Sequence, residues 1–283
     1  MKKIVQCLLV VATLFMGSAT WAQQKIVSLN GAVTEILCEL GLQNQIVGTD
    51  ITSNYPAEMQ KKPKVGHNRT IGAEAVLALQ PTLIVGIKDK DGKPIDIKPE
   101  LVGQFQSAGI KTILFEYDYS IDGAKKLIQG VAEYFNQKQK AAALIKKIDE
   151  PLAKVRKPAK APKVLFIYAR GTGTMLVAGL HTAPKTMIEL AGGQNATNDF
   201  ENFKPLTAEA LVAANPDAIL LFDSGLESLG GIDGLLKVPG IAQTNAGKHK
   251  RIWQMDGQLL TGFSPRAGQA VLELNTKMTQ ITP

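Results

Sequence analysis

The chain has 283 residues and a formal net charge of +7, with 45% hydrophobic and 20% charged residues. These values are typical of a soluble protein of two ordinary domains, and they exclude long disorder, collagen-like repeats and a multi-span membrane protein. The modest excess of basic residues indicates anionic partners in general and does not require nucleic acid. Two cysteines, Cys7 and Cys38, argue against a disulfide scaffold.

The first 22 residues have the layout of a secretory signal peptide. Lys2 and Lys3 precede an apolar run over 4–16, and small residues follow at 17–19 and at Ala22. The run is short for a transmembrane helix, although a membrane anchor is the alternative. Cleavage after Ala22 would lower the net charge from +7 to +5, because two lysines and no acid are removed. We therefore expect an exported, periplasmic protein.

Beyond the signal peptide, short β-rich runs alternate with helical patterns. In chain order the sequence predicts a strand at 25–29, a helix at 32–40, a strand at 46–49, a helix at 74–79, a strand at 83–85, a helix at 101–108 and strands at 111–115 and 163–168. This alternation favours an α/β fold with mainly parallel sheets. We expect an N-terminal lobe over 23–120 and a C-terminal lobe over 161–283.

The region between the lobes, 121–160, has the pattern of a helical connector. Apolar residues recur at helical spacing at Leu127, Ile128, Val131, Phe135, Ala142, Ile145 and Ile148. This pattern predicts a long amphipathic backbone helix, which Pro158 and Pro162 end.

An internal repeat relates the two lobes. Residues 73–85 align with residues 208–220 at a constant offset of 135, with six identities in thirteen columns. The period is far longer than that of a solenoid. The repeat therefore predicts two similar lobes with a ligand cleft between them, since pockets favour domain interfaces.

Motifs of enzymes are mostly missing from the sequence. It has no G-x-S-x-G elbow, no P-loop and no zinc-type pairing of His or Cys, and residues 171–173 are only a fragment of a dinucleotide fingerprint. Of the three histidines, His249 lies in a basic turn, and His181 precedes a helix where it could face the cleft, cap or pack. His67 lies in a loop that is expected to line the crevice of an α/β lobe.

Two segments, 65–81 and 173–193, resemble the periplasmic heme-binding proteins of bacterial heme-uptake ABC transporters. These proteins belong to the helical-backbone class of substrate-binding proteins, together with the vitamin B12 and siderophore binders. The first segment is typical of the wider class, and the second is more specific to the heme binders. The resemblance covers essentially the whole mature chain.

The resemblance implies that heme iron is held at the position of His67, where the family usually has a tyrosine. Imidazole is itself a heme ligand, so His67 is expected to replace the phenolate; the alternative is a histidine that only hydrogen-bonds. Arg69 is expected to contact a heme propionate, which suits its bidentate guanidinium, and an Arg paired with a local acid is the alternative.

Three further residues are candidates for the ligand site. Tyr168 and Arg170 follow the first strand of the second lobe and are expected to approach the cleft from the other side, with Arg170 as a second propionate anchor. Phe263 precedes the last helix and is expected to stack on the macrocycle, with a place in the core as the alternative. Ser264 is predicted as the N-cap of that helix, with Pro265 at its first position.

Glu74 and Glu209 occupy equivalent positions of the repeat. An acid in the first turn of a helix is also favoured by the helix dipole alone. In the resembling proteins one acid from each lobe pairs with arginines of the permease, so both residues are expected to dock a dimeric permease.

The sequence therefore predicts a non-enzymatic protein that captures heme and delivers it to an inner-membrane ABC permease with its ATPase. An outer-membrane heme receptor system would supply the heme, and no catalytic cofactor or nucleic acid is expected. The same fold binding cobalamin or a ferric siderophore is the first alternative. A secreted α/β enzyme with an unrecognised site is the second.

Overall fold

The computed structural model describes residues 24–67 and 70–281. The predicted signal peptide and Arg69 lie outside these described residues. Within them, no helix combines the length and the apolar character needed to cross a membrane.

The N-terminal lobe is built on a four-stranded parallel sheet with the order β2-β1-β5-β6, beside a small antiparallel hairpin of β3 and β4. Its elements are β1 (Ile26–Ser28), α1 (Gly31–Glu39), β2 (Ile46–Thr49), β3 (Gly66–His67), β4 (Thr70–Ile71), α2 (Ala73–Ala78), β5 (Leu83–Lys88), α3 (Pro99–Ser107) and β6 (Lys111–Glu116). Asn30 starts α1 because its side chain accepts hydrogen bonds from the amides of Ala32 and Val33.

Two helices, α4 (Ile121–Tyr134) and α5 (Lys138–Leu152), form the connector. They pack antiparallel, since Lys125 near the start of α4 pairs with Asp149 near the end of α5 at 2.6 Å. The connector thus differs from the single long helix that the sequence pattern predicts. The physical reason is Asn136, whose φ of 54° places it in the left-handed conformation that commonly ends a helix.

The C-terminal lobe contains a six-stranded mixed sheet. Its elements are β7 (Lys163–Ala169), β8 (Met175–Ala178), α6 (Ala183–Leu190), β9 (Gln194–Asn195), β10 (Phe203–Pro205), α7 (Ala208–Ala214), β11 (Ala218–Phe222), α8 (Asp223–Ser228), α9 (Gly231–Leu236), α10 (Asn245–Lys248), β12 (Ile252–Met255), α11 (Gly257–Thr261) and α12 (Ala267–Thr279). The strands β7, β11 and β12 are parallel, whereas β8 and β10 add an antiparallel edge.

The two sheets share a common plan, which agrees with the repeat. The parallel order β1-β5-β6 of the first lobe matches β7-β11-β12 of the second. The equivalent helices α2 and α7 are followed by equivalent left-handed residues, Gln80 (φ 47°) and Asn215 (φ 40°), and each of these precedes a proline. The predicted α/β architecture of two similar lobes is therefore confirmed.

A continuous hydrophobic core joins the lobes through the connector. Buried side chains of α1, α4, α5 and α12 belong to one cluster with the inner strands of both sheets. At Gly268, helix α12 approaches α5 so closely that a Cβ would collide with the carbonyl oxygen of Ile148. This packing fixes the connector against the C-terminal lobe.

Candidate ligand cleft

A cavity of about 950 Å³ lies between the lobes. Most of its lining follows the carboxyl ends of parallel strands, where α/β folds bind ligands. The residues of this kind are Asn30 after β1, Ile51 and Thr52 after β2, Tyr117 and Tyr119 after β6, Arg170 after β7, Asp223 after β11 and Asp256 after β12. Both lobes therefore contribute equivalent edges to one site.

His67 reaches this cavity from the small hairpin of the N-terminal lobe. It pairs with Thr70 across the hairpin and is half-buried. Gly66, with a φ of 125°, allows the close approach of the two hairpin strands, and its carbonyl oxygen accepts a 2.9 Å hydrogen bond from the amide of Ile51. The hairpin thus holds His67 beside the Ile51 loop, which lines the same cavity.

Tyr168 and Arg170 line the cavity from the C-terminal lobe, as predicted from their position after the first strand of that lobe. The guanidinium carbon of Arg170 lies 5.7 Å from the centroid of the Tyr168 ring. Phe222 supports the same ring edge-on, with a centroid distance of 6.1 Å. The Gly171 amide donates to Ser228 Oγ at 2.9 Å, which fixes the turn that follows Arg170.

Phe263 lies behind the cavity wall instead of in it. The side chain is fully buried, and its ring packs against Tyr119 at a centroid distance of 5.7 Å. Tyr119, which is 41% exposed, is the aromatic ring that reaches the cavity. The structure therefore assigns Phe263 to the core, where it supports Tyr119, and not to direct stacking on a ligand.

Three carboxylates, those of Asp223, Glu227 and Asp256, line the C-terminal side of the cavity. Burial raises the pKa of Asp223, and the nearby charges of Asp256 and Glu227 raise it further. Among the described lining residues, Arg170 is the one cation. An anionic group of a ligand is therefore favoured near Arg170 and disfavoured near these acids.

Hydrogen bonds beside the cavity join the C-terminal lobe to the N-terminal lobe. The side-chain oxygen of Gln258 accepts from the amides of Asn54 and Tyr55 at 2.9 and 3.0 Å, and its nitrogen donates to the carbonyl of Gly31 at 3.0 Å. The hydroxyl of Tyr117 donates to the backbone carbonyls of Thr261, which ends α11, and of Gly262. Burial raises the pKa of this hydroxyl well above its usual value.

A buried ion pair also joins the lobes. Glu35 of α1 is fully buried and accepts two hydrogen bonds from the Arg266 guanidinium at 3.0 and 2.9 Å and one from Ser264 at 2.9 Å. The guanidinium stacks 3.4 Å from the centroid of the Tyr55 ring. Desolvation outweighs these favourable partners, so the pKa of Glu35 lies above its usual value. The Ser264 hydroxyl thus donates to Glu35. Helix α12 begins three residues after Ser264 and has Arg266 at its N-cap, so the prediction of Ser264 as the N-cap is wrong.

We expect Arg266→Met to destabilise the protein by about 3–5 kcal/mol at pH 7.5, because it leaves a buried carboxylate without its partner. Loss of the guanidinium raises the pKa of Glu35 further above 4.5. At pH values above that raised pKa, the buried ionised form of Glu35 lowers the free energy of unfolding. Below it, the protonated form has little effect on stability. Chemical denaturation should therefore show a smaller loss at pH 5 than at pH 7.5. An equal loss at both pH values would contradict this account, and Glu35→Gln combined with Arg266→Met should regain part of the stability.

The remaining predicted residues lie outside the cavity lining. His181 is highly exposed (74% of its side chain) and lies 3.9 Å from Glu201. Glu74 on α2 and Glu209 on α7 are exposed at equivalent places of the two lobes. Arg69 lies outside the described residues. The cavity thus brings together His67, Tyr168 and Arg170, and it does not include His181 or Phe263.

Several lining residues were not predicted from the sequence, among them Ile51, Tyr119, Phe222 and Gln258. The first three follow or end a parallel strand, so a systematic search of strand ends would have found them. Gln258 follows β12, a strand that the sequence analysis did not predict. In the described part of the chain, no group of three or more His, Cys, Asp or Glu residues could hold a metal ion by itself.

Two α/β lobes with a cleft between them and a helical connector define a substrate-binding protein. The sequence model of the family described as "Periplasmic binding protein" matches residues 26–259. The chain therefore belongs to the periplasmic binding protein family.

Solved structures of heme-binding members are similar over nearly the whole chain. The periplasmic heme-binding protein RhuT from Roseiflexus sp. RS-1, in its apo form, has a TM-score of 0.83 and 40% identity, covering 90% of this chain and 98% of that one. The periplasmic heme-binding protein BhuT, in complex with two hemes, has a TM-score of 0.81 and 34% identity with the same coverage. The heme-binding protein HmuT has a TM-score of 0.79 and 30% identity, covering 91% of this chain and 85% of that one.

Curated sequence relatives are more distant. An uncharacterised ABC transporter substrate-binding lipoprotein, YvrC of Bacillus subtilis (strain 168), is 29% identical over 89% of this chain and 78% of its own length. The vitamin B12-binding protein of Vibrio vulnificus (strain CMCP6) is 21% identical over 88% of this chain and 87% of its own.

Proposed function

We propose that this protein captures heme in the cleft and delivers it to an inner-membrane ABC permease. The observation that carries the proposal is that two good iron ligands, His67 of the N-terminal lobe and Tyr168 of the C-terminal lobe, line one cavity. Imidazole and phenolate both serve as axial ligands of heme iron. A heme between the lobes would thus bind through the two lobes at once.

The residues replaced in the HmuT variants have a spacing that this chain shares. The HmuT structures include variants in which a histidine, a tyrosine or an arginine is replaced by alanine, and the tyrosine and arginine lie two positions apart. Tyr168 and Arg170 have the same spacing here, and His67 precedes Tyr168 by 101 positions, close to the 99 positions between the replaced histidine and tyrosine of HmuT. We infer that Arg170 stabilises negative charge on a ligating Tyr168 oxygen or on a propionate.

Two exposed side chains of the cavity lining suit the apolar faces of a flat macrocycle. Ile51 and Tyr119 expose 43% and 41% of their surface at the cleft, where a porphyrin would cover them. Propionates would avoid the Asp223–Glu227–Asp256 side and lie near Arg170, with Arg69 as the second proposed anchor. Iron enters with the ligand, so the protein itself needs no metal cluster and no catalytic cofactor, and we assign it no catalytic step.

The proposal of heme delivery extends to export and to partner proteins. We propose that residues 1–22 direct the chain to the periplasm, and that an outer-membrane heme receptor system provides the heme there. The permease and its ATPase would then move the heme across the inner membrane. Glu74 and Glu209 are the proposed contacts to that permease, one from each lobe.

The ligand that co-purifies from cells tests the proposal. We would express the full chain with its native signal in cells given both hemin and cobalamin, isolate the periplasmic fraction, and assay pyridine hemochrome and bound corrinoid. Heme in at least half of the molecules supports the proposal. Corrinoid or a ferric siderophore in its place, with hemin unbound, would overturn it in favour of the cobalamin or siderophore alternative.

A pH dependence of hemin binding follows from the acidic side of the cavity. Because the pKa of Asp223 is raised, this carboxylate gains its proton at a higher pH than an ordinary aspartate does, and its repulsion of propionates is then lost. Asp223→Asn should therefore strengthen hemin binding about two- to fivefold at pH 7.5 and less at pH 5. Fluorescence quenching titrations measure this effect. The exposed Asp233→Asn serves as a control, and an affinity gain that is the same at both pH values would contradict the assignment.

A further inference from the structure

The outer faces of α2 and α7 carry the same combination of side chains. On α2, Glu74, Ala75, Leu77 and Ala78 are exposed while Val76 is buried; on α7, Glu209, Ala210, Val212 and Ala213 are exposed while Leu211 is buried. The glutamate and the large apolar residue are three positions apart in both helices, so they are neighbours on one helix face. We name these the two docking faces.

Leu77 and Val212 are unusual among the surface residues of the chain. They are 44% and 46% exposed. Of the large hydrophobic side chains that are exposed in the described residues, they form the one pair related by the 135-residue repeat. The exposed Ile51 and Tyr119 line the cleft, so the ligand accounts for them, whereas nothing in the cleft accounts for Leu77 and Val212.

Each docking face carries a single negative charge. Its helix carries one charged residue, the glutamate, on a chain with an excess of basic residues. Within the described residues, neither Glu74 nor Glu209 forms a salt bridge. A carboxylate surrounded by small and large apolar groups fits a guanidinium or ammonium that emerges from an apolar recess.

We propose that Leu77 and Val212 are apolar anchors of the permease contact, each seated beside its glutamate in an apolar recess of one permease subunit. This inference rests on the proposed docking function and names its chemistry. The occupant is a dimer with approximate two-fold symmetry, because the two faces are equivalent positions of two similar lobes. The carboxylates guide and orient the complex, and the apolar anchors stabilise it once water has left the contact.

The test compares Leu77→Ser, Val212→Ser and the double variant for binding to the purified permease–ATPase complex in lipid nanodiscs. Each single change is expected to weaken binding about five- to tenfold, and the double change about 25- to 100-fold because the two sites lie on separate lobes and should act additively. The residual binding should keep its dependence on salt, since the glutamates remain. The exposed Ile232→Ser, on α9, is the control, and unchanged hemin titration shows that each variant is folded.

The outcomes separate the inference from the proposed function. If Glu74→Ala with Glu209→Ala loses permease binding while the Leu77 and Val212 double variant binds as the wild type does, the apolar anchors are overturned and the docking role survives. If the glutamate variant also binds normally, the docking role itself is overturned. Sedimentation of the wild type tests whether the docking faces instead join two copies of this chain. Self-association at micromolar concentration that the serine variants abolish would overturn the inference.

Discussion

Replacing His67 by alanine should lower hemin affinity at least about 10- to 100-fold, because loss of even an outer partner of a metal ligand costs that much. Tyr168→Phe should have an effect of similar size, and the double variant should lose specific binding at micromolar hemin. The reason is that each residue is proposed to give one axial bond from its own lobe. Absorption titration measures both the affinity and the position of the Soret band.

The spectrum distinguishes ligation from mere packing. Loss of either ligand should change the coordination and spin state of the iron, whereas loss of a packing contact would weaken binding with an unchanged spectrum. His67→Tyr should restore tight binding with an altered Soret band, because a phenolate also binds ferric heme. His181→Ala, which changes an exposed histidine outside the cavity, is the matched control. A wild-type spectrum for hemin bound to His67→Ala would contradict ligation by His67.

The double variant Glu74→Ala with Glu209→Ala should bind hemin normally and fail to deliver it. Two charge-assisted contacts contribute about 1.5–3 kcal/mol each when desolvated, so permease affinity should fall about a hundredfold or more. Hemin uptake into proteoliposomes that contain the permease and its ATPase measures delivery directly.

The control for this variant removes the same charge elsewhere. Glu133 and Glu150 lie on the connector with 66% and 61% of their side chains exposed, and their surface salt bridges contribute little to stability. Their double replacement by alanine should leave uptake unchanged. Normal uptake by the Glu74 and Glu209 double variant would remove these residues from the docking site.

The sequence predicted the architecture well because the relevant signals are local or repeated. Helix–proline–strand phrases place α2, β5, α7 and β11 correctly, and their constant offset predicts two similar lobes. The break in the connector was missed, since the apolar spacing continues across Asn136 and only its left-handed conformation turns the chain back. The antiparallel edge of the second sheet was also missed, because β8 and β10 are short and have no clear apolar alternation.

The site was harder to predict than the fold because its residues come from segments far apart in sequence. Position after a strand was enough to place Tyr168 and Arg170 at the cleft. It was not enough for Phe263, whose burial behind Tyr119 depends on the contact between the segment after α11 and the segment after β6. The bond between Glu35 and Arg266 joins residues 231 positions apart, so no local pattern reveals it.

Titration of the purified, processed apo-protein with hemin, cyanocobalamin and a ferric siderophore identifies the ligand of the cleft. We expect saturable hemin binding at or below micromolar concentration, with a Soret band that differs from free hemin and shifts when His67 or Tyr168 is replaced. We expect no comparable binding of the other two chelates. Absence of hemin binding at micromolar concentration, together with tight binding of cobalamin or the siderophore, would contradict the proposal that the cleft captures heme.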